Sequence, residues 1–161
     1  MIKVAICDDD IQFIYKLEQS IFRFAEMKRI KVDVDGYTSG AEFIQKLQQS
    51  ERYDLLFLDI ELGDSSGIIV GNWIRSQIQY ESMQIVFVSA KEMYAMQLFD
   101  LRPMNFLVKP IQQERVDYIL DEYERLYQFQ PHIIEIGKGR NSIRIEEHSV
   151  FYLQSLARKI Q

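Results

Sequence analysis

Residues 54–60 read DLLFLDI. Leu55, Leu56, Phe57 and Leu58 follow one another with no polar alternation, the pattern of a strand buried on both faces, as a central strand of a parallel sheet is. Asp59 comes at the far end of that run. In open α/β sheets ligands bind outside the carboxyl ends of the strands, so this carboxylate falls on the edge where chemistry is expected.

Similar runs lie on both sides of it. KVAIC (residues 3–7), QIVFV (84–88) and FLV (106–108) are short and apolar, and residues 30–37 alternate apolar and polar like a half-exposed edge strand. Helical spacing fills the gaps. Ile11, Ile14, Tyr15, Leu17, Ile21 and Phe24 follow Asp10, a plausible N-cap, and Ser39 precedes Phe43, Ile44 and Leu47. After the turn-forming loop ELGDSSG, a helix over about 68–80 turns Ile69, Val70, Trp73, Ile74 and Ile78 inward. A helix is expected over about 92–101, and a last one over about 112–129 with Val116, Ile119, Leu120, Tyr123 and Leu126 on one face. Five strand–helix units in succession predict an α/β fold, a doubly wound five-stranded parallel sheet with right-handed crossovers. Beyond Gln130 and Pro131 the texture changes to short β-like pieces. Residues 132–137 and 142–146, joined by GKGRN, read as a hairpin, and 150–154 as a further strand.

Composition narrows the function classes. With 161 residues, 47% apolar and 27% charged, the chain suits one soluble globular domain with a small appendage. Its only cysteine, Cys7, lies inside an apolar run and reads as core packing in a reducing compartment. No stretch approaches the roughly 20 apolar residues of a membrane span, and Asp8, Asp9 and Asp10 stop the first apolar run at once, so a cytoplasmic protein with no membrane partner is expected. Residues 1–131 hold 14 Lys and Arg against 21 Asp and Glu, which argues against nucleic-acid binding by the main body; residues 132–161 hold 5 against 3. Both histidines, His132 and His148, fall outside the body. No histidine base, histidine phosphoacceptor or Ser-His-Asp triad can be built there, and one cysteine with two histidines is too little for a zinc site.

Four strands of the body end in a chemically capable group: Asp8, Asp9 and Asp10 after the first, then Asp59, Ser89 and Lys109. Solvation explains any one polar strand end. Parallel strands, however, bring all four ends to a single edge. Carboxylates, a hydroxyl and an ammonium are what a hard cation and a phosphoryl group need. Mg²⁺ takes one or two carboxylates plus phosphate oxygens, Lys109 can neutralise phosphate charge, Ser89 can hydrogen-bond a phosphate oxygen, and a carboxylate can itself become an aspartyl phosphate.

CDDD, LFLDI, VSA and FLVKP, in that order and spacing, resemble the receiver domain of two-component response regulators over residues 1–127. The resemblance implies a flavodoxin-like fold and a switch rather than a turnover enzyme. It makes Asp59 the phosphoacceptor, with Lys109 and Ser89 as the lysine and switch hydroxyl. It gives Mg²⁺ the ligands Asp8, Asp9, Asp59 and the backbone of Glu61, pairs Ser89 with Phe106 as an aromatic switch, and makes Lys109-Pro110 cis. It also implies a sensor histidine kinase as donor, and a homodimer through a face that includes Met93, Met96 and Phe99. Where many members carry a proline four residues past the acceptor, this chain has Gly63, which suggests a looser loop. Glu61 and Lys91 flank the phosphoryl entrance and are expected to pair across it.

After a linker at 128–131, residues 132–161 resemble the opening of a LytTR-type DNA-binding domain, through VFYLQS at 150–155 and the following LARK. Thirty residues cannot bury a core of their own, so the chain is expected to stop mid-domain. Arg158 and Lys159 would approach DNA only where that output domain is complete. Two other classes compete: a stand-alone interaction module or phosphate sink, and a haloacid-dehalogenase-type phosphatase. The latter's D-x-D-x-[TV] signature fails at Gln12.

Overall fold

The computed structural model of the chain describes residues 1–77, 82–128, 133–136 and 143–146. It divides into two compact units, Met1–Leu120 and Asp121–Gln161.

In the first unit β1 (Ile2–Cys7), β2 (Val32–Tyr37), β3 (Leu55–Asp59), β4 (Gln84–Ser89) and β5 (Asn105–Val108) form one parallel sheet in the order β2-β1-β3-β4-β5. β3 lies at its centre with all five residues buried, and β2 is an edge strand with the mixed burial its alternation predicts. One face carries Ala5, Cys7, Leu56, Leu58, Ile85 and Phe87 into a core shared with Phe43 and Leu47 of α2 (Gly40–Gln48) and Val70 and Ile74 of α3 (Gly67–Ser76). Side chains alternate across a strand, so Val4, Ile6, Phe57, Val86 and Val88 face the other way. That side is closed by Ile14, Leu17, Ile21 and Phe24 of α1 (Ile11–Lys28) and by Val116, Ile119 and Leu120.

The helix starts follow from short polar side chains. Asp10 accepts from the N–H groups of Gln12 and Phe13, and Ser39 from that of Glu42. Some expected faces are narrower than periodicity suggests. Ile11, Tyr15 and Ile69 are exposed, because a stripe of about 100° has room for only part of each apolar set. Ile78 lies outside the described residues. Residues 92–101 form a 3-10 helix rather than an α-helix. Its apolar residues recur every three positions, the 3-10 repeat, so Met93, Met96 and Phe99 make one exposed ridge while Leu98 and Leu101 turn inward.

The helix α4 (Gln113–Tyr123) runs on into a π-helical turn at Glu124–Gln128, where Leu126 is exposed. In the second unit β6 (Ile133–Ile136) and β7 (Ile143–Glu146) pair antiparallel, with Ile133 opposite Glu146 and Ile136 opposite Ile143, as the hairpin reading expects. The expected strand at 150–154, and Arg158 and Lys159, lie outside the described residues. Among the described residues no helix is long and apolar enough to cross a membrane.

Candidate functional site: an acidic cluster on the carboxyl edge

The sheet delivers its strand ends to one edge. Asp59 ends β3 opposite Val88, the residue before Ser89, and Lys109 follows β5, its N–H donating to the Ser89 carbonyl at 2.9 Å. Asp8 and Asp59 are buried at 1% and 5% exposure, Ser89 is fully buried, and Asp9 is exposed. Oxygens of Asp8, Asp9 and Asp59 lie within 4.8 Å of one another. The Lys109 ammonium reaches between two of them, 2.7 Å from Asp8 Oδ2 and 3.0 Å from Asp59 Oδ2. The Lys109-Pro110 peptide is cis.

Packing at Asp59 is tight enough to dictate a neighbouring residue. A Cβ on Gly67 would stand 2.0 Å from the Asp59 carbonyl oxygen, so only glycine lets α3 start here. The loop between them is tied down at its middle despite Gly63. Asp64 accepts from the N–H groups of Gly40 and Ala41 at 3.1 and 3.0 Å, capping α2 from a distance and holding its own carboxyl below the ordinary range. A bridge between Glu61 and Ser66 closes the same loop. Sequence periodicity is blind to this anchor, because the capped helix lies 23 and 24 residues away in the chain.

Three carboxylates and one ammonium leave the cluster with an excess of negative charge. Burial pushes the Asp8 carboxyl above its ordinary value of 3.8, against the lowering effect of Lys109 and of the Asp10 N–H. For Lys109, burial works downward, but its bonds to Asp8 and Asp59 prevail and raise it. Asp8 Oδ2 is buried, and the Lys109 ammonium meets it as an ion pair at 2.7 Å. Three carboxylates that share one ammonium fit a hard divalent cation. Asp8, Asp9 and Asp59 would hold it.

Around this centre, the Glu61 N–H donates to Asp59 Oδ1 at 3.3 Å. Its side chain accepts from Lys91 Nζ at 2.5 Å and from the Tyr94 hydroxyl at 3.4 Å, the pairing expected across the entrance. Ser89 Oγ accepts from the Lys91 N–H at 3.0 Å. Phe106, opposite Phe87, is partly buried against the core. Cys7 is fully buried and its thiol is pushed up, chiefly by burial, in keeping with a packing role. Phe13, which belongs to none of the strand-end motifs, places its ring centroid 4.3 Å from Lys109 Nζ. Its position three residues past an N-cap was the available signal.

The family model for the response regulator receiver domain matches residues 4–121. This chain belongs to that family. Over 151 residues it is 29% identical to the sensory transduction protein LytT of Bacillus cereus, covering 93% of this chain but 58% of LytT, so it spans less than two thirds of that relative. Among solved structures, the response regulatory domain of MrkE from Klebsiella pneumoniae superposes with a TM-score of 0.68 at 24% identity, covering 80% of this chain and 99% of that one. TrrA from Thermotoga maritima, in complex with Mg²⁺ and a beryllium fluoride, gives 0.62 at 23% identity over 76% of this chain and 99% of its own. At these identities the likeness is one of fold, and the fold is that of the flavodoxin-like receivers.

Proposed function

We propose that this receiver is the phosphoacceptor part of a transcriptional response regulator, with Asp59 taking a phosphoryl group from a phosphohistidine of a sensor kinase. The observation that carries this reading is the Lys109 ammonium held 2.7 and 3.0 Å from the buried Asp8 and Asp59 of a three-carboxylate cluster. An oxygen of Asp59 forms the new P–O bond as the P–N bond breaks, and the donor imidazole leaves with that electron pair. Bound Mg²⁺ supplies charge neutralisation for the phosphoryl oxygens. Asp8, Asp9, Asp59 and the Glu61 backbone are its proposed ligands. Lys109 carries positive charge to the phosphoryl oxygens, and the Ser89 hydroxyl turns from the Lys91 N–H toward them. That turn frees space for Phe106, and the rearrangement biases a two-state switch rather than a turnover cycle. The exposed Met93, Met96 and Phe99 ridge is the proposed contact for a second copy. We assign residues 1–127 to the receiver, 128–131 to a linker and 132–161 to the start of a LytTR-type output. Arg158 and Lys159 approach DNA in the intact regulator, which works in the cytoplasm.

The test is incubation with a small acyl phosphate and Mg²⁺ followed by intact mass measurement. The parent is expected to gain one phosphoryl group and the Asp59→Asn variant none. An unmodified parent, or an equal adduct on the variant, overturns the assignment.

A further inference from the structure

An ammonium group has three N–H donors, and at Lys109 two of them have partners in Asp8 and Asp59. The third side is faced by an aromatic ring. Nζ stands 4.3 Å from the centroid of Phe13, inside the range in which the negative face of a benzene ring attracts a cation. Phe13 reaches this place because Asp10 caps α1 through the Gln12 and Phe13 N–H groups at 2.8 and 3.3 Å, which fixes the first turn of the helix. Beside both groups a cavity of about 390 Å³ opens, lined in part by Phe13, Lys109, Asp10, Lys16 and Ile111. The cavity offers the Lys109 side chain, 22% exposed, a way out of the cluster and a competing carboxylate in Asp10.

We propose that Phe13 is a positioning residue for Lys109, holding the ammonium between Asp8 and Asp59 by a cation–π contact and against release toward the cavity. This rests on the reading of Asp59 as the phosphoacceptor. A ring face suits the task better than a third carboxylate. It attracts the cation without neutralising it, so the full positive charge stays available to the incoming phosphoryl oxygens. The same contact has a cost for metal binding, because Lys109 and a divalent cation compete for the same two carboxylates. Phe13 therefore acts on the two ligands with opposite sign, favouring phosphoryl uptake and opposing the metal.

Phe13→Leu keeps an apolar side chain and removes the ring face; Phe13→Tyr keeps the face. Phosphoryl uptake from an acyl phosphate at saturating Mg²⁺, followed by intact mass, is expected to slow about fivefold in the leucine variant, a loss of ~1 kcal/mol of cation–π attraction. It should stay within about twofold of the parent in the tyrosine variant, the residual difference a ring hydroxyl could make. Mg²⁺ affinity by calorimetry should rise roughly two- to threefold in Phe13→Leu, as relief of a competing contact of that size allows. General damage to the site would weaken metal and phosphoryl uptake together. Equal slowing in both variants, or unchanged or weaker Mg²⁺ binding in Phe13→Leu, overturns the proposal. If the parent itself takes up no phosphoryl group, the Asp59 assignment fails and the Mg²⁺ comparison alone decides the role of Phe13.

Discussion

Beneath the β2 edge, Tyr37 donates its hydroxyl proton to Tyr53, and Tyr53 donates to Asp35 Oδ2 at 2.7 Å. Lys3 closes that group, 2.7 Å from Glu51, 4.0 Å from Asp35 and stacked over the Tyr53 ring. At the carboxyl edge Asp8, Asp59 and Ser89 are buried more deeply than Lys3, Asp35 and Glu51, and three carboxylates share a single ammonium. Both tyrosines are held as neutral phenols, chiefly by burial, and the packing of their rings with each other and with Phe43, at centroid distances of 5.2 to 6.2 Å, adds apolar area around the network. A chain of donors and acceptors that ends on itself stabilises a fold, whereas one left open stores binding capacity for something that arrives later.

The sharpest way to break this contrast is Asp8→Asn, which should act oppositely on fold and ligand. Loss of one carboxylate is expected to weaken Mg²⁺ binding roughly tenfold or more by calorimetry, about 1.4 kcal/mol. The metal-free variant should nevertheless be more stable than the parent by about 1 kcal/mol, since a buried charge with incomplete partners is removed. The sign with pH follows from the raised folded-state value of Asp8. Its contribution to stability is present below the ordinary carboxylate value and is lost as pH rises through the folded one. The advantage of Asp8→Asn in thermal melts should therefore grow from acid toward neutral pH. An advantage that shrinks over that range would show that Lys109 satisfies Asp8 fully.

Tyr53→Phe should behave the other way round. It removes the acceptor of the Tyr37 hydroxyl and is expected to lower stability by about 1–2 kcal/mol in denaturant titrations, with Mg²⁺ affinity unchanged. A parallel fall in Mg²⁺ affinity would mean that the two buried groups are one coupled system. The smallest effect belongs to Lys91→Ala, which opens the solvent-exposed pair with Glu61 at the entrance. Exposed pairs are worth under about 1 kcal/mol, so the phosphoryl adduct should be lost about twofold faster. Equal lifetimes of parent and variant in a mass-spectrometric time course would leave that pair a solvated surface contact.

How much of this was legible beforehand depends on the range of the signal. Strand and helix periodicity is a local record of which side of an element meets the core, so DLLFLDI already carried the central strand. The alternation around it carried the parallel sheet, and with it the convergence of Asp8, Asp9, Asp59, Ser89 and Lys109 on one edge. Only the tertiary structure decided how those groups meet. Lys109 and Asp59 are 50 residues apart, and Tyr37 and Tyr53 are 16 apart. Distances and angles between such groups are set where the chain closes on itself, not by any repeat within it. For the same reason Phe13 looked like an ordinary residue of a capped helix until folding laid its ring against Lys109. The carboxylate of Asp64 was likewise one polar loop residue among several until the fold brought it to the start of α2.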